Sequence, residues 1–212
     1  MAREPFLKTD NPVFSFMGKL GDVVVLNLAW LLCCVPVATI GASTTALFYV
    51  ARKICLDEDY RVWHDFFHSF RANWKQATGL WLMLLAGLAV AASNLWIGLH
   101  TDSGLGNLCR GVGIVLLLVW LMAEGFAFPL LARFELSFRH LAEDALLLGL
   151  AHFPRTVGVI GLNLLPAVLW YVLPSPLLCV LFVWLPVGFA LAALWVEKLL
   201  EPVFAPYRTE SV

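Results

Sequence analysis

Residues 111–132, GVGIVLLLVWLMAEGFAFPLLA, carry a single charged side chain, Glu124, along a stretch long enough to cross a bilayer as one helix. A spanning helix needs about 20 mostly apolar residues to cover roughly 30 Å of hydrocarbon. Working outward, residues 23–50, 77–99, 156–173 and 176–196 are as apolar and hold no Lys, Arg, Asp or Glu. The composition agrees, with 61% hydrophobic and 14% charged residues and a mean hydropathy of +0.83, far from a soluble domain. The fold class that follows is all-α, a polytopic transmembrane helical bundle with four to five membrane segments, occupying residues 1–212 as one integral membrane domain.

The first segment is the ambiguous one. Pro36 removes a helical hydrogen bond near the middle of 23–50, and Thr39, Gly41, Ala42 and Ser43 follow it, residues that permit a tight turn and close packing. If 23–50 spans once, Arg3, Lys8 and Lys19 lie outside with Arg110. If it enters and returns as a hairpin, every Lys and Arg except Arg110 lies on one face, the stronger form of the positive-inside rule. Either way the loops at 52–76 and 133–155 and the C-terminus face the cytoplasm, and the hairpin places the N-terminus there as well. Its arms of about 13 residues would reach only roughly 20 Å.

Two segments between the spans read as amphipathic helices on the cytoplasmic face. Over 60–76, Trp63, Phe66, Phe67, Phe70 and Trp74 recur at spacings of three and four, with Arg61, His64, Asp65, His68, Arg71 and Lys75 between them. Such a segment anchors in the headgroup region of a lipid bilayer or docks on another protein. Over 134–152, Glu135, Arg139 and Glu143 form an i, i+4 ladder opposite the stripe Leu141, Ala145, Leu148, Gly149.

Chemistry-bearing motifs are scarce. His64 and His68 lack a third zinc ligand, and Cys33, Cys34, Cys55, Cys109 and Cys179 lack ligand spacing and read as small packing residues. No Gly-rich loop with Lys and Ser/Thr cradles a phosphate, and no Ser, His and Asp are arranged as a nucleophile. These patterns point to no metal, no cofactor, no nucleic-acid partner and no enzyme activity. Glu124 is the exception, because an intramembrane acid is a functional candidate by default. Its alternative is a structural role, protonated or bonded to Asn27, Asn94 or Asn163. Pro36, Pro129, Pro166 and Pro186 interrupt four apolar stretches, and carbonyls freed there can line a path.

One ordered set of motifs resembles a known family. Asn11-Pro12, Gly21-Asp22, Asn27-Leu28, Pro36, Thr39-Ile40-Gly41-Ala42, Ala46-Leu47, Phe66-Phe67, the run Ser69 to Ala77, and Pro129 to Phe134 are similar to the YesL-like family of small bacterial membrane proteins. The resemblance implies a multi-pass protein of the bacterial cytoplasmic membrane with an accessory role, since members are often encoded beside the binding proteins and permeases of carbohydrate ABC importers. The family has no established catalytic residues to carry over. The expected partner surface for sugar permease subunits is Phe66, Phe67, Phe70, Arg71, Asn73, Trp74 and Lys75, and the expected structural turn is Pro36, Thr39 and Gly41. The alternative expectation is a small transporter or channel that acts alone as a homo-oligomer, with Glu124 and Asn94 or Asn163 in its polar path.

Overall fold

A computed structural model of the chain describes residues 12–134, 137–172 and 180–208. All regular elements among them are helical: α1 (Pro12–Cys34), α2 (Ile40–Cys55), α3 (Val62–His100), α4 (Gly104–Arg133), α5 (Phe138–Ala151), α6 (Phe153–Val172) and α7 (Phe189–Phe204). A short 3₁₀ turn, Val37–Thr39, joins α1 to α2, and a wide π-type stretch, Val180–Gly188, leads into α7. Among the described residues, four helices are long and apolar enough to cross a membrane: Met17–Cys34, Val62–His100, Gly104–Arg133 and Phe153–Val172. The protein is therefore a multi-pass membrane protein. Residues 173–179 and Glu135 of the ladder lie outside the described residues, as does Cys179.

The stretch 23–50 is a hairpin. Ser43 donates to the Trp30 carbonyl at 3.0 Å, and Trp30 Nε1 donates to Thr44 Oγ1 at 3.2 Å, which a continuous helix could not do across 13 or 14 residues. At the open end, Lys19 Nζ meets Asp57 Oδ1 at 2.6 Å and the Tyr60 hydroxyl donates to Asp22 Oδ2 at 2.8 Å. The first arm reaches back to Pro12, so α1 is 23 residues long, about 34 Å, rather than the shorter arm the apolar run suggested. Asp57 takes the left-handed conformation that ends α2, with φ of 50°. Lys19's hydrogen bond, with its charge, holds the Asp57 carboxyl below its ordinary value. Burial first, and then the bond to Asp22, pushes the Tyr60 phenol up to about 12.

The three residues at the bend do separate physical work. Pro36 takes an extended conformation (φ −78°, ψ 120°) and accepts at its carbonyl from Thr39 N–H at 3.0 Å. Thr39 Oγ1 also donates to the carbonyl of Cys33 at 2.6 Å, satisfying a group the end of α1 leaves open. Gly41 is where α2 touches α3: a Cβ there would meet the Ala77 carbonyl and sit 2.7 Å from Trp81 Cβ. Trp81 Nε1 closes the bend by donating to Val37 O at 2.9 Å.

Residues 60–76 do not form a separate interfacial helix. They continue without interruption into 77–99 as α3, 39 residues and about 58 Å long. No Gly or Pro intervenes between 62 and 78, so nothing in the sequence ends a helix where polarity changes. The hairpin packs beside the first half of α3, and beyond Trp81 α3 and α4 run on together. There Trp120 Nε1 donates to Leu84 O at 2.7 Å, and Arg110 Nη2 donates to Gly98 O at 2.7 Å near the far turn. This arm leaves Leu82, Val90, Trp96, Leu105, Leu108 and Val115 exposed, a surface suited to hydrocarbon. The second amphipathic segment is α5, which crosses the α3–α4 pair: Phe138 lies against Gly79, and Gly149 against Met122 and Phe126. Leu141, Ala145 and Gly149 of the expected stripe are buried and Leu148 is half-buried.

Candidate functional site

Glu124 lies at the meeting point of six helical segments. Its neighbour Gly125 lets α6 approach closely, because a Cβ there would stand 2.9 Å from Val159 Cγ1. One helical turn beyond Val159, Asn163 is thereby brought against α4, and its Nδ2 donates to Glu124 Oε2 at 3.0 Å. Pro129 and Pro166 lack the N–H groups that would reach the carbonyls of Gly125 and Leu162, so two backbone acceptors next to this pair lose their helical donors.

The carboxylate and amide open onto a cavity of about 230 Å³. Its walls include Trp30 from α1, Thr44 and Phe48 from α2, Trp81 from α3, Phe128 from α4, and Trp184 and Phe189 from the last segment. The Trp30 and Phe189 ring centroids are 4.4 Å apart, and those of Trp184 and Phe189 are 5.4 Å apart. The indole N–H groups of Trp30 and Trp81 are occupied as described, whereas Trp184 Nε1 is buried without a hydrogen-bond partner among the described residues. Among the described residues, no basic side chain pairs with Glu124.

The other intramembrane amides have different work. Asn27 is fully buried, and its Nδ2 donates to Leu185 O at 2.6 Å and Trp184 O at 3.4 Å, while Ala190 N–H donates to its Oδ1 at 2.9 Å. Leu185 O and Ala190 N–H stand five residues apart where the wide stretch that contains Pro186 gives way to α7, so Asn27 stands in for main-chain bonds at that junction. Asn94 is half-buried on the far arm and donates to Val90 O of its own helix at 2.9 Å. Of the three amides, the structure brings only Asn163 to Glu124.

The first five turns of α3 divide the aromatic set. Phe66 is fully buried in the core, and Phe67 and Phe70 are half-buried against it. Trp63 and Trp74 are 50% and 45% exposed, with Arg71 and Lys75 on the same open face. Asn73 donates to Ser69 O at 3.2 Å and is partly covered. Trp63 stacks on Phe67 at 5.7 Å between centroids, and His64 on His68 at 6.2 Å, along a shallow groove that Arg71 and Ala72 complete. Among the described residues no three His, Cys, Asp or Glu side chains gather as a metal site.

A cluster that loop-counting treats as surface charge is instead internal. Arg133 and Glu197 are 2% and 1% exposed and form an ion pair, and Arg133 Nη1 also reaches Glu201 Oε2 at 3.1 Å. The guanidinium lies 4.5 Å from the Phe204 ring centre. The signal was present in the i, i+4 pair Glu197 and Glu201 just past an apolar run, level with the arginine that ends α4.

Residues 23–95 match the family described as "Protein of unknown function, DUF624". The match covers the hairpin from Val23 onward, the first half of α3 and most of its apolar continuation. No curated protein and no solved structure matches the chain.

Proposed function

We propose that this chain is a YesL-like, non-catalytic accessory subunit of a carbohydrate ABC importer in the bacterial cytoplasmic membrane, packing against sugar permease subunits to stabilise or regulate them. The observation that carries this reading is the open face of α3: Trp63, Arg71, Trp74 and Lys75 form an aromatic and basic ridge that none of the described helices covers. The family resemblance supplies the identity of the partner, and the match over 23–95 includes this ridge. The charge distribution supports a cytoplasmic position for the ridge, since the hairpin leaves Arg110 as the one Lys or Arg of the described residues at the opposite end.

The test is a mild-detergent pull-down of the tagged chain from its native host, with mass spectrometry of bound membrane proteins. Wild type should recover sugar permease subunits, and Trp63→Asp/Trp74→Asp, with an unchanged unfolding profile, should lose them. Recovery of the chain alone as a discrete oligomer would overturn the accessory reading. It would favour a small self-sufficient transporter, the reading that Glu124 and its cavity support, and solute flux in liposomes holding only this chain would then decide.

A further inference from the structure

We infer that the cavity at Glu124 is a binding site for a small organic ammonium cation, with Glu124 as the counter-ion and the surrounding indole and phenyl rings as the cage. This assignment is independent of whether the chain docks on a permease.

Three observations carry it. The first is charge. Glu124 sits within the bundle with Asn163 as its hydrogen-bond donor and no basic side chain paired with it among the described residues. An unpaired carboxylate in a low-dielectric interior is costly, and a cation arriving with the ligand removes that cost.

The second is the composition of the walls. Trp30, Trp81, Trp184, Phe48, Phe128 and Phe189 present ring surface, and the oxygen-bearing side chains are Glu124, Asn163 and Thr44. Ring faces attract ammonium groups, most strongly when water is excluded. A bare metal cation would need about six oxygen ligands, which this lining does not gather.

The third is size. At about 230 Å³ the cavity is smaller than the roughly 300–1,000 Å³ of pockets that enclose drug-sized ligands, so a compact ammonium fits and an oligosaccharide does not. Trp184 Nε1, buried and without a hydrogen-bond partner among the described residues, adds a donor at the wall for a hydroxyl or ether oxygen carried by the same ligand.

The experiment is a titration of the purified full chain in nanodiscs with choline and with its uncharged carbon isostere, 3,3-dimethylbutan-1-ol, read by tryptophan fluorescence. Wild type should show saturable quenching by choline at concentrations roughly tenfold lower than by the isostere. Glu124→Gln should lose most of that preference, keeping only the part that the rings supply. If Glu124→Gln fails to fold, Glu124→Asp, which keeps the charge, and the wild-type comparison of the two probes carry the test. Equal affinity of wild type for both probes, unchanged choline affinity in Glu124→Gln, or the absence of saturable quenching would overturn the assignment.

Discussion

Arg133 and Glu197, 64 residues apart in sequence, face each other inside the protein as an ion pair. The pair ties the end of α4 to α7, and Glu201 one turn further on doubles the tie. Among the described residues Glu197 Oε1 and Arg133 Nε are buried without hydrogen-bond partners, so the pair is incompletely satisfied there. Removing one member strands the other charge, which costs about 3–5 kcal/mol, while replacing both with apolar residues of similar volume is close to neutral. Arg133→Ala should therefore lower the unfolding midpoint in detergent sharply, and Arg133→Met/Glu197→Leu should recover most of it. An Arg133→Ala variant as stable as wild type would remove the argument.

Gly41 and Gly161 should respond to the same substitution with opposite sign. A methyl at position 41 meets the backbone of Ala77 and the Cβ of Trp81, neither of which can swing away. Gly41→Ala should cost about 1–3 kcal/mol by forcing α2 off α3. Nothing lies within 4 Å of the position a Cβ would take at Gly161, inside α6. Gly161→Ala should gain up to about 1 kcal/mol of helix propensity. Equilibrium unfolding in mixed micelles measures both.

Asn27 and Pro186 should be coupled. Asn27→Leu leaves the carbonyls of Trp184 and Leu185 and the Ala190 N–H without this partner, at about 1–3 kcal/mol. Pro186→Ala restores a backbone N–H and permits regular helix, so it should soften the loss. A double-mutant cycle is expected to give a coupling of about 0.5–3 kcal/mol. Strictly additive effects would show that Asn27 does not serve the break.

The hairpin base should weaken in alkali. Tyr60 is held protonated in the fold, its phenol raised from 10.0 to about 12 by burial and by the bond to Asp22. A raised folded value means the contribution is complete below the ordinary value and is lost as pH climbs through the folded one. The difference in unfolding midpoint between wild type and Tyr60→Phe should be constant below pH 10 and shrink as pH approaches 12. Asp57 acts at the other extreme: its carboxyl is depressed, so its pairing with Lys19 persists above the ordinary value of 3.8 and is lost on acidification beneath it.

The membrane class, the apolar runs and the bend at Pro36 were legible because they depend on composition and on residues whose backbone limits are absolute. The hairpin itself was readable only as one of two topologies, since the bonds that close it, Ser43 to Trp30 and Lys19 to Asp57, are tertiary. The aromatic spacing in 60–76 correctly indicated a helix, but periodicity describes a face and not an axis. It could not reveal that the helix runs straight on into 77–99, nor that Phe66 points into the core while Trp63 and Trp74 remain open. Glu124 stood out by its isolation, yet its partner among three amides followed from the close approach at Gly125. Arg133 was misleading for the opposite reason. A charge at the end of an apolar run looks like a loop residue until another helix brings acids to meet it.

The hairpin also bears on how the chain enters the bilayer during synthesis. No charged side chain lies between Asp22 and Arg52, and the clasp of Lys19 on Asp57 returns both arms to the side they started from. The two arms can therefore partition together as one uncharged wedge. No Lys, Arg, Asp or Glu between Asp22 and Arg52 has to be carried into hydrocarbon to form it, so the cost of burying charge does not oppose that step.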